Sequence, residues 1–182
     1  MLLIVPMLSH LMIKKVTADE IPLLVEISQS TFYHTYQAFN TEQDMQLYLN
    51  KHMNEAAIRD EWNSPNNEFY FAWLNENLAG YCKLSYQTQP DTLQFSNGLE
   101  IARLYVNEPF KKLGIGKQFI VFAENLAQQQ NLEQVWLIAW QQNKSAITFY
   151  QKMGFEIVGE QQFILGNDVQ NDWVLRKWLN AK

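Results

Sequence analysis

The stretch from Leu104 to Gln118, LYVNEPFKKLGIGKQ, narrows the possible folds of this chain more than any other. It opens on apolar and β-branched residues that read as a strand, turns at Asn107–Pro109, and reaches two lysines and a Gly-x-Gly pair. Beyond the pair, Ile115, Phe119, Phe122, Ala123 and Leu126 recur at helical spacing, so an amphipathic helix follows. A strand that feeds through a glycine-bearing loop into a helix start leaves backbone N–H groups unpaired and pointing outward. The helix dipole places about half a positive charge there, which suits a phosphate or pyrophosphate. Gly114 and Gly116 have no side chain to hold an anion off the main chain, and Lys111, Lys112 and Lys117 add positive charge. An ordinary strand–helix turn can carry the same letters. The stretch is not a Walker A loop, because no Gly-Lys-Ser/Thr follows at the required spacing. It also lacks the third glycine and the later acidic residue of a dinucleotide fingerprint.

With 182 residues, one domain with a real core is expected. A net charge of −5 argues against a nucleic-acid partner, whose footprint on the protein is basic. An acidic body with lysines gathered at one loop suggests a locally held anionic cofactor and a cationic second substrate. The single Cys82 excludes an internal disulfide, offers no metal set, and lies in an apolar strand pattern as a small core residue. No metal is expected. Residues 1–11 (MLLIVPMLSHL) are apolar but lack a basic start and a small-residue cleavage site, and are too short to span a bilayer. They read as an N-terminal extension, with Met12 a natural start and a single domain over 12–182. A cytoplasmic location without membrane association follows.

In order, Met12–Thr17 alternates as a strand, and Asp19 and Glu20 open a helix with Pro22 in its first turn. That helix runs into STFYHTY (Ser30–Tyr36). Thr41 and Asp44, at capping-box spacing, start a second helix, and Glu55–Trp62 forms a third. Glu68–Leu74 and Leu78–Tyr86 make a hairpin, Leu99–Val106 a further strand, and Val135–Trp140 a fully apolar strand from the middle of a sheet. Asn143 caps a short helix that stops at Gly154. Phe155–Val158, Phe163–Leu165 and Trp173–Trp178 supply the last strands. The fold class is α/β (α+β), a mixed sheet with helices on both faces.

Two motifs in this order resemble the GCN5-related N-acetyltransferase (GNAT) superfamily. Lys111-Lys112-Leu113-Gly114-Ile115-Gly116 stands where that family carries Gln/Arg-x-x-Gly-x-Gly/Ala, with a lysine point charge replacing the planar first residue. The run Asn143–Phe155, NKSAITFYQKMGF, resembles the family's second cofactor motif. STFYHTY, GYCKL and QQFILGNDVQND are further similar to bacterial spermine/spermidine N-acetyltransferases. The resemblance implies a sheet of about seven mostly antiparallel strands, splayed between the fourth and fifth, and acetyl transfer from acetyl-CoA to a primary amine. Leu104, Tyr105 and Val106 would run beside the pantetheine arm, Leu104 and Val106 pairing with it through their backbones. Lys111, Lys112, Gly114, Ile115, Gly116 and Lys117 would hold the pyrophosphate, and Asn143, Ala146, Phe149 and Lys152 would line the rest of the channel.

Acetyl transfer needs a group to take a proton from an alkylammonium of pKa about 10. Glu100 precedes the cofactor motif by eleven residues, where GCN5-type members carry their glutamate, and on a regular strand it shares a face with Ala102, Leu104 and Val106. Many relatives carry the carboxylate two residues later, where Ala102 stands. A solvated glutamate at a strand start is the competing reading. Tyr150, on one helix face with Ala146, Phe149 and Met153, corresponds to the tyrosine the family places beside the CoA sulfur, against a plain core tyrosine. Tyr33, His34 and Tyr36 are expected either to wall the acceptor by cation–π contact or simply to pack on the sheet. The resemblance also leaves open a peptide N-terminus, an amino acid or an aminoglycoside as acceptor, and a non-catalytic acetyl-CoA-binding module. The strand Trp173–Trp178 is expected to offer a sheet edge for a homodimer.

Overall fold

A computed structural model describes residues 10–95 and 97–179. The elements run β1 (Leu11–Lys15), α1 (Ile21–Tyr36), α2 (Glu42–His52), α3 (Glu55–Asn63), β2 (Asn67–Leu74), β3 (Asn77–Tyr86), β4 (Gly98–Val106), α4 (Ile115–Gln129), β5 (Gln134–Trp140), α5 (Lys144–Lys152), β6 (Glu156–Leu165) and β7 (Asp168–Trp178). Local chemistry sets the helix starts. The Thr41 hydroxyl accepts from the Asp44 amide ahead of α2, the Asn54 side chain accepts from the Ala57 amide ahead of α3, and Asn143 does the same for Ala146 ahead of α5. Among the described residues no helix is long and apolar enough to cross a membrane.

The strands form one sheet in the order β1-β2-β3-β4-β5-β7-β6, antiparallel except for the β4–β5 pair. Strand alternation sends two sets of side chains to two faces. Phe69, Phe71 and Tyr81 bury Ile21, Leu24 and Ile27 of α1 and Ile58 of α3. Tyr70, Cys82, Leu99 and Leu137 bury Ile115, Phe119 and Ala123 of α4 and Ile147 of α5. Cys82 is a core residue whose thiol burial pushes far up. The β6–β7 hairpin is held against α2 by the Asn167 amide, which donates to Asp44 Oδ1 at 2.8 Å.

Two irregularities position the functional region. β4 and β5 pair only at Gly98–Gln134, Leu99–Val135 and Glu100–Trp136. Past Glu100, β4 stays with β3 as far as Val106 opposite Gly80, while β5 stays with β7 as far as Trp140 opposite Asp172. The sheet therefore opens as a wedge at its centre. The second irregularity is a bulge at Ala102, since Ile101 pairs with Leu84 and Arg103 with Lys83. The extra residue reverses the alternation. Leu104 and Val106 join Leu99 and Ile101 on the α4 face, whereas Glu100 falls with Arg103 and Tyr105 on the face of α1–α3. The regular-strand expectation that Glu100 shares a face with Leu104 and Val106 is corrected by this bulge.

The C-terminal strands also differ from the sequence reading. β6 runs unbroken through Gly159–Gln162, and β7 begins at Asp168. Trp173–Trp178 is no edge, because β7 lies between β5 and β6; the edge strands are β1 and β6. Most of the expected N-terminal extension, residues 1–9, lies outside the described residues, and Leu11 already pairs with Leu74 in β1.

Candidate active site

The wedge holds a cleft of about 210 Å³. One wall is the unpaired side of β4, from Ile101 to Val106, with Lys111 beyond it; the other is Ile138, Ala139 and Trp140 of β5. Asn143, Ser145, Ala146 and Tyr150 of α5 and Thr35 and Tyr36 of α1 close the ends. At its mouth Gly114 begins α4 with φ of +87°, a left-handed conformation that glycine adopts without strain, and no side chain caps the helix start. Gly116 lies against Phe149, where a Cβ would come within 3.2 Å of the ring. Ile115 buries its side chain in the core, so only its backbone faces the loop region. Lys111, Lys112 and Lys117 are exposed, and Lys111 Nζ sits 2.6 Å from the Glu108 carboxylate. An open β edge leading to an uncapped helix start ringed by lysines fits an extended chain ending in a diphosphate. Lys152 is exposed in the last turn of α5 and does not line the cleft.

A second cavity of about 240 Å³ opens on the α1–α3 face and shares Tyr36, Ala102, Arg103, Tyr105, Ile138 and Trp140 with the first. The two adjoin across the parted strands, with those residues as their common wall. Its walls are largely aromatic. Phe32 stacks on Tyr48 at 4.6 Å between ring centres, Tyr48 meets Phe163 at 5.4 Å, and Tyr36 meets Trp140 edge-on at 6.1 Å. Charge enters from the sheet as Glu100, Lys83, Arg103 and Asp172. Arg103 donates to both carboxylate oxygens of Glu61 on α3, at 2.8 and 2.9 Å, and Lys83 lies 3.3 Å from the same carboxylate.

Burial raises the Glu100 pKa above the usual carboxylate range, while the neighbouring Thr88 hydroxyl and the charges of Lys83 and Arg103 pull the other way. Burial pushes the Asp172 carboxyl up to about 6. It also pushes the Tyr150 phenol well above its ordinary value, with Tyr36 adding to the effect, so Tyr150 stays protonated at neutral pH. Burial raises the Tyr36 phenol too, against hydrogen bonds to Tyr105 and Asn143.

The structure thus brings Tyr150, Tyr36, Leu104–Val106, Lys111, Asn143 and Ala146 around the first cavity and Glu100 and Tyr36 around the second, which adjoins it. It separates Tyr33 and His34 from both. Both line a shallow depression on the outer side of α1 with Gln46 and Asn50, and the Tyr33 hydroxyl donates to Glu42 at 2.7 Å. Sequence reasoning passed over Asp172, Trp140, Tyr48, Phe163 and the Glu61–Arg103–Lys83 cluster. The available signal for Asp172 was its period-two spacing from Val174, which puts a carboxyl on a buried strand face. Among the described residues, no group of three or more His, Cys, Asp or Glu could hold a metal ion.

Comparison with known proteins agrees with this geometry. The family described as Acetyltransferase (GNAT) family matches residues 27–155. An uncharacterized N-acetyltransferase in the pepI 3' region of Lactobacillus delbrueckii subsp. lactis is 35% identical over 167 residues, covering 92% of this chain and 96% of the relative. The spermidine N(1)-acetyltransferase of Thermoplasma acidophilum is 23% identical over 149 residues, 80% of this chain and 88% of the relative. The crystal structure of PaiA N-acetyltransferase from Thermoplasma acidophilum in complex with coenzyme A superimposes with a TM-score of 0.74 at 19% identity, covering 92% of this chain and 98% of that one. The chain belongs to the GNAT acetyltransferase family. It is an N-acetyltransferase, and the acyl donor of the family is acetyl-CoA.

Proposed function

We propose that this enzyme acetylates a small cationic primary amine, with a polyamine such as spermidine or spermine foremost, using Glu100 as base and Tyr150 as acid. One observation carries the reading. The cavity adjoining the donor cleft is walled by aromatic rings and carries buried carboxylates. Aromatic faces attract an alkylammonium by about 0.5–2 kcal/mol each, and a carboxylate beside them both binds it and can take its proton. The spermidine acetyltransferase among the relatives supports the same class.

Acetyl-CoA supplies the activated acetyl group as a thioester. Gly114, Gly116 and the lysines at 111, 112 and 117 bind its diphosphate, and the free side of β4 at Leu104 and Val106 orients its arm. Asn143 and Ala146 form the opposite wall, and Phe149 fixes the space over Gly116. Glu100 takes a proton from the ammonium, directly or through water, and the free amine nitrogen then attacks the acetyl carbonyl carbon. As the carbon–sulfur bond breaks, the Tyr150 hydroxyl gives its proton to the departing sulfur and recovers one from the nitrogen, which loses its second proton on becoming an amide, while the Leu104 N–H polarises the carbonyl oxygen. Tyr36, placed where the two spaces meet, keeps water from that junction. Tyr33 and His34 take no part.

A thiol-release assay across a panel of amines tests the substrate class. Spermidine, spermine and putrescine should turn over with kcat/KM at least about tenfold above those of amino acids, aminoglycosides and peptide N-termini. An amino acid at the head of the list would favour a second reading, in which Lys83 and Arg103 receive an acceptor carboxylate. Tight acetyl-CoA binding with no turnover of any amine would make the protein a binding module. Tyr150→Phe is expected to lower kcat about tenfold with acetyl-CoA affinity retained. The effect is moderate because a thiol, with a pKa near 8.5, leaves readily even without full protonation. Full turnover by the phenylalanine variant would remove Tyr150 as the acid.

A further inference from the structure

The acceptor cavity holds a carboxylate that the mechanism above leaves unused. Asp172 lies on β7 opposite Trp140 and is 6% exposed, and its Oδ1 is enclosed without a hydrogen-bond partner. The polar groups that could answer it are committed elsewhere. Gln170, on the same face of β7, donates to Asn40 at 2.6 Å and to Asp168 at 2.9 Å. Arg103 and Lys83 both point their charge at Glu61. Glu100 aside, the rest of the cavity lining is aromatic or aliphatic, with Tyr36, Trp140 and Phe163 beside Ile138 and Met53.

A carboxylate taken out of water with no donor destabilises a fold strongly. Such a group in a cavity wall marks a place where a ligand supplies the missing partner. With a pKa near 6, Asp172 is largely ionised at neutral pH and attracts a cation there. Its position relative to Glu100 follows from the strand register. Glu100 pairs with Trp136 and Asp172 with Trp140, four residues further along β5. At about 3.3 Å per residue the two backbones are offset by about 13 Å along the strand. Both side chains line the same cavity, separated along it by that offset.

We infer that Asp172 receives the second ammonium of the acceptor, so that the enzyme selects diamines and polyamines over monoamines. The inference rests on the amine-acetyltransferase reading. In this arrangement one nitrogen is deprotonated beside Glu100 and acetylated, and the distal nitrogen stays charged beside Asp172. Asp172 is therefore a specificity residue, and its loss should appear in KM.

The test compares putrescine with n-butylamine, the same carbon chain lacking one nitrogen, in the wild type, Asp172→Asn and Asp172→Ser. The wild type should prefer putrescine by about 30-fold or more in kcat/KM, the lower end of what one enclosed charge pair commands. In Asp172→Asn the putrescine KM should rise about 30-fold while kcat falls less than about threefold, and n-butylamine should lose far less. Acetyl-CoA binding by calorimetry marks a folded variant, and Asp172→Ser gives the same reading should the asparagine variant not fold. An unchanged putrescine preference in a folded variant overturns the inference. So does an equal fall in kcat for both amines, which would make Asp172 a base instead. Failure of the wild type to acetylate either amine overturns the polyamine reading itself, and this inference with it.

Discussion

Glu100→Gln is expected to lower kcat about 10³-fold, within the range that a positioned acid or base contributes, while acetyl-CoA binds as before. Glutamine keeps the shape of the side chain and its hydrogen-bonding reach but takes no proton, so the acceptor remains an ammonium. The pH profile is the sharper readout. Burial raises the Glu100 pKa, and Lys83 and Arg103 restrain the rise. The base works only when ionised, so wild-type kcat/KM should climb through a limb at higher pH than an ordinary carboxylate, about 4.3, would give. In the glutamine variant that limb should vanish, leaving the rate to follow the fraction of free amine up to about pH 10. A glutamine variant with the wild-type limb would exclude Glu100 as the base.

Glu61→Gln should destabilise the protein by about 3 kcal/mol, lowering Tm by about 10 °C in a thermal melt. Glu61 is the shared counter-ion of Arg103 and Lys83, whose side chains are each 12% exposed. Without its charge, two cations remain in a poorly solvated site with only the more distant Glu100 to offset them. The figure is taken from the low end because Glu61 itself is 28% exposed and water screens part of the loss. Adding Arg103→Met should recover part of the lost stability, since an apolar side chain leaves no unpaired charge behind. The same variant has a catalytic signature. Unbalanced positive charge beside Glu100 favours its ionised form, so the rising limb of the pH profile should move to lower pH. A Tm change under about 2 °C would show that Arg103 and Lys83 find other partners.

The elements were legible in the sequence wherever their hydrophobic period was long or their caps explicit. Thr41, Asn143, the Gly-x-Gly pair and the apolar run Val135–Trp140 each led to the element found, with boundaries within a residue or so. β6 was legible only at its ends. As an edge strand it has one partner, and its polar run Glu160–Gln162 reads as loop until β7 is seen to pair with it. The direction of Glu100 was hidden for a different reason. A bulge is a property of two strands in register, and nothing in Glu100–Val106 alone announces that Ala102 is the extra residue. Tyr33 and Tyr36 show the limit of composition. They lie three residues apart on α1, yet Tyr36 reaches the junction of the two cavities and Tyr33 bonds to Glu42 on the outside. The acceptor walls come from α1, α2, β6 and β7, so the residues that meet there are separated by more than a hundred positions in the chain.

The parted strands have an evolutionary corollary. Donor contacts come from β4, the start of α4 and α5, whereas the far walls of the acceptor space come from elements that touch the donor side only at the rim. Substitutions at positions such as Tyr48, Phe163 or Asp172 can therefore retune what is modified while the machinery that delivers the acetyl group is left alone. An enzyme divided in this way can change its diet by a few side chains, and relatives that share only its donor half carry little information about its appetite.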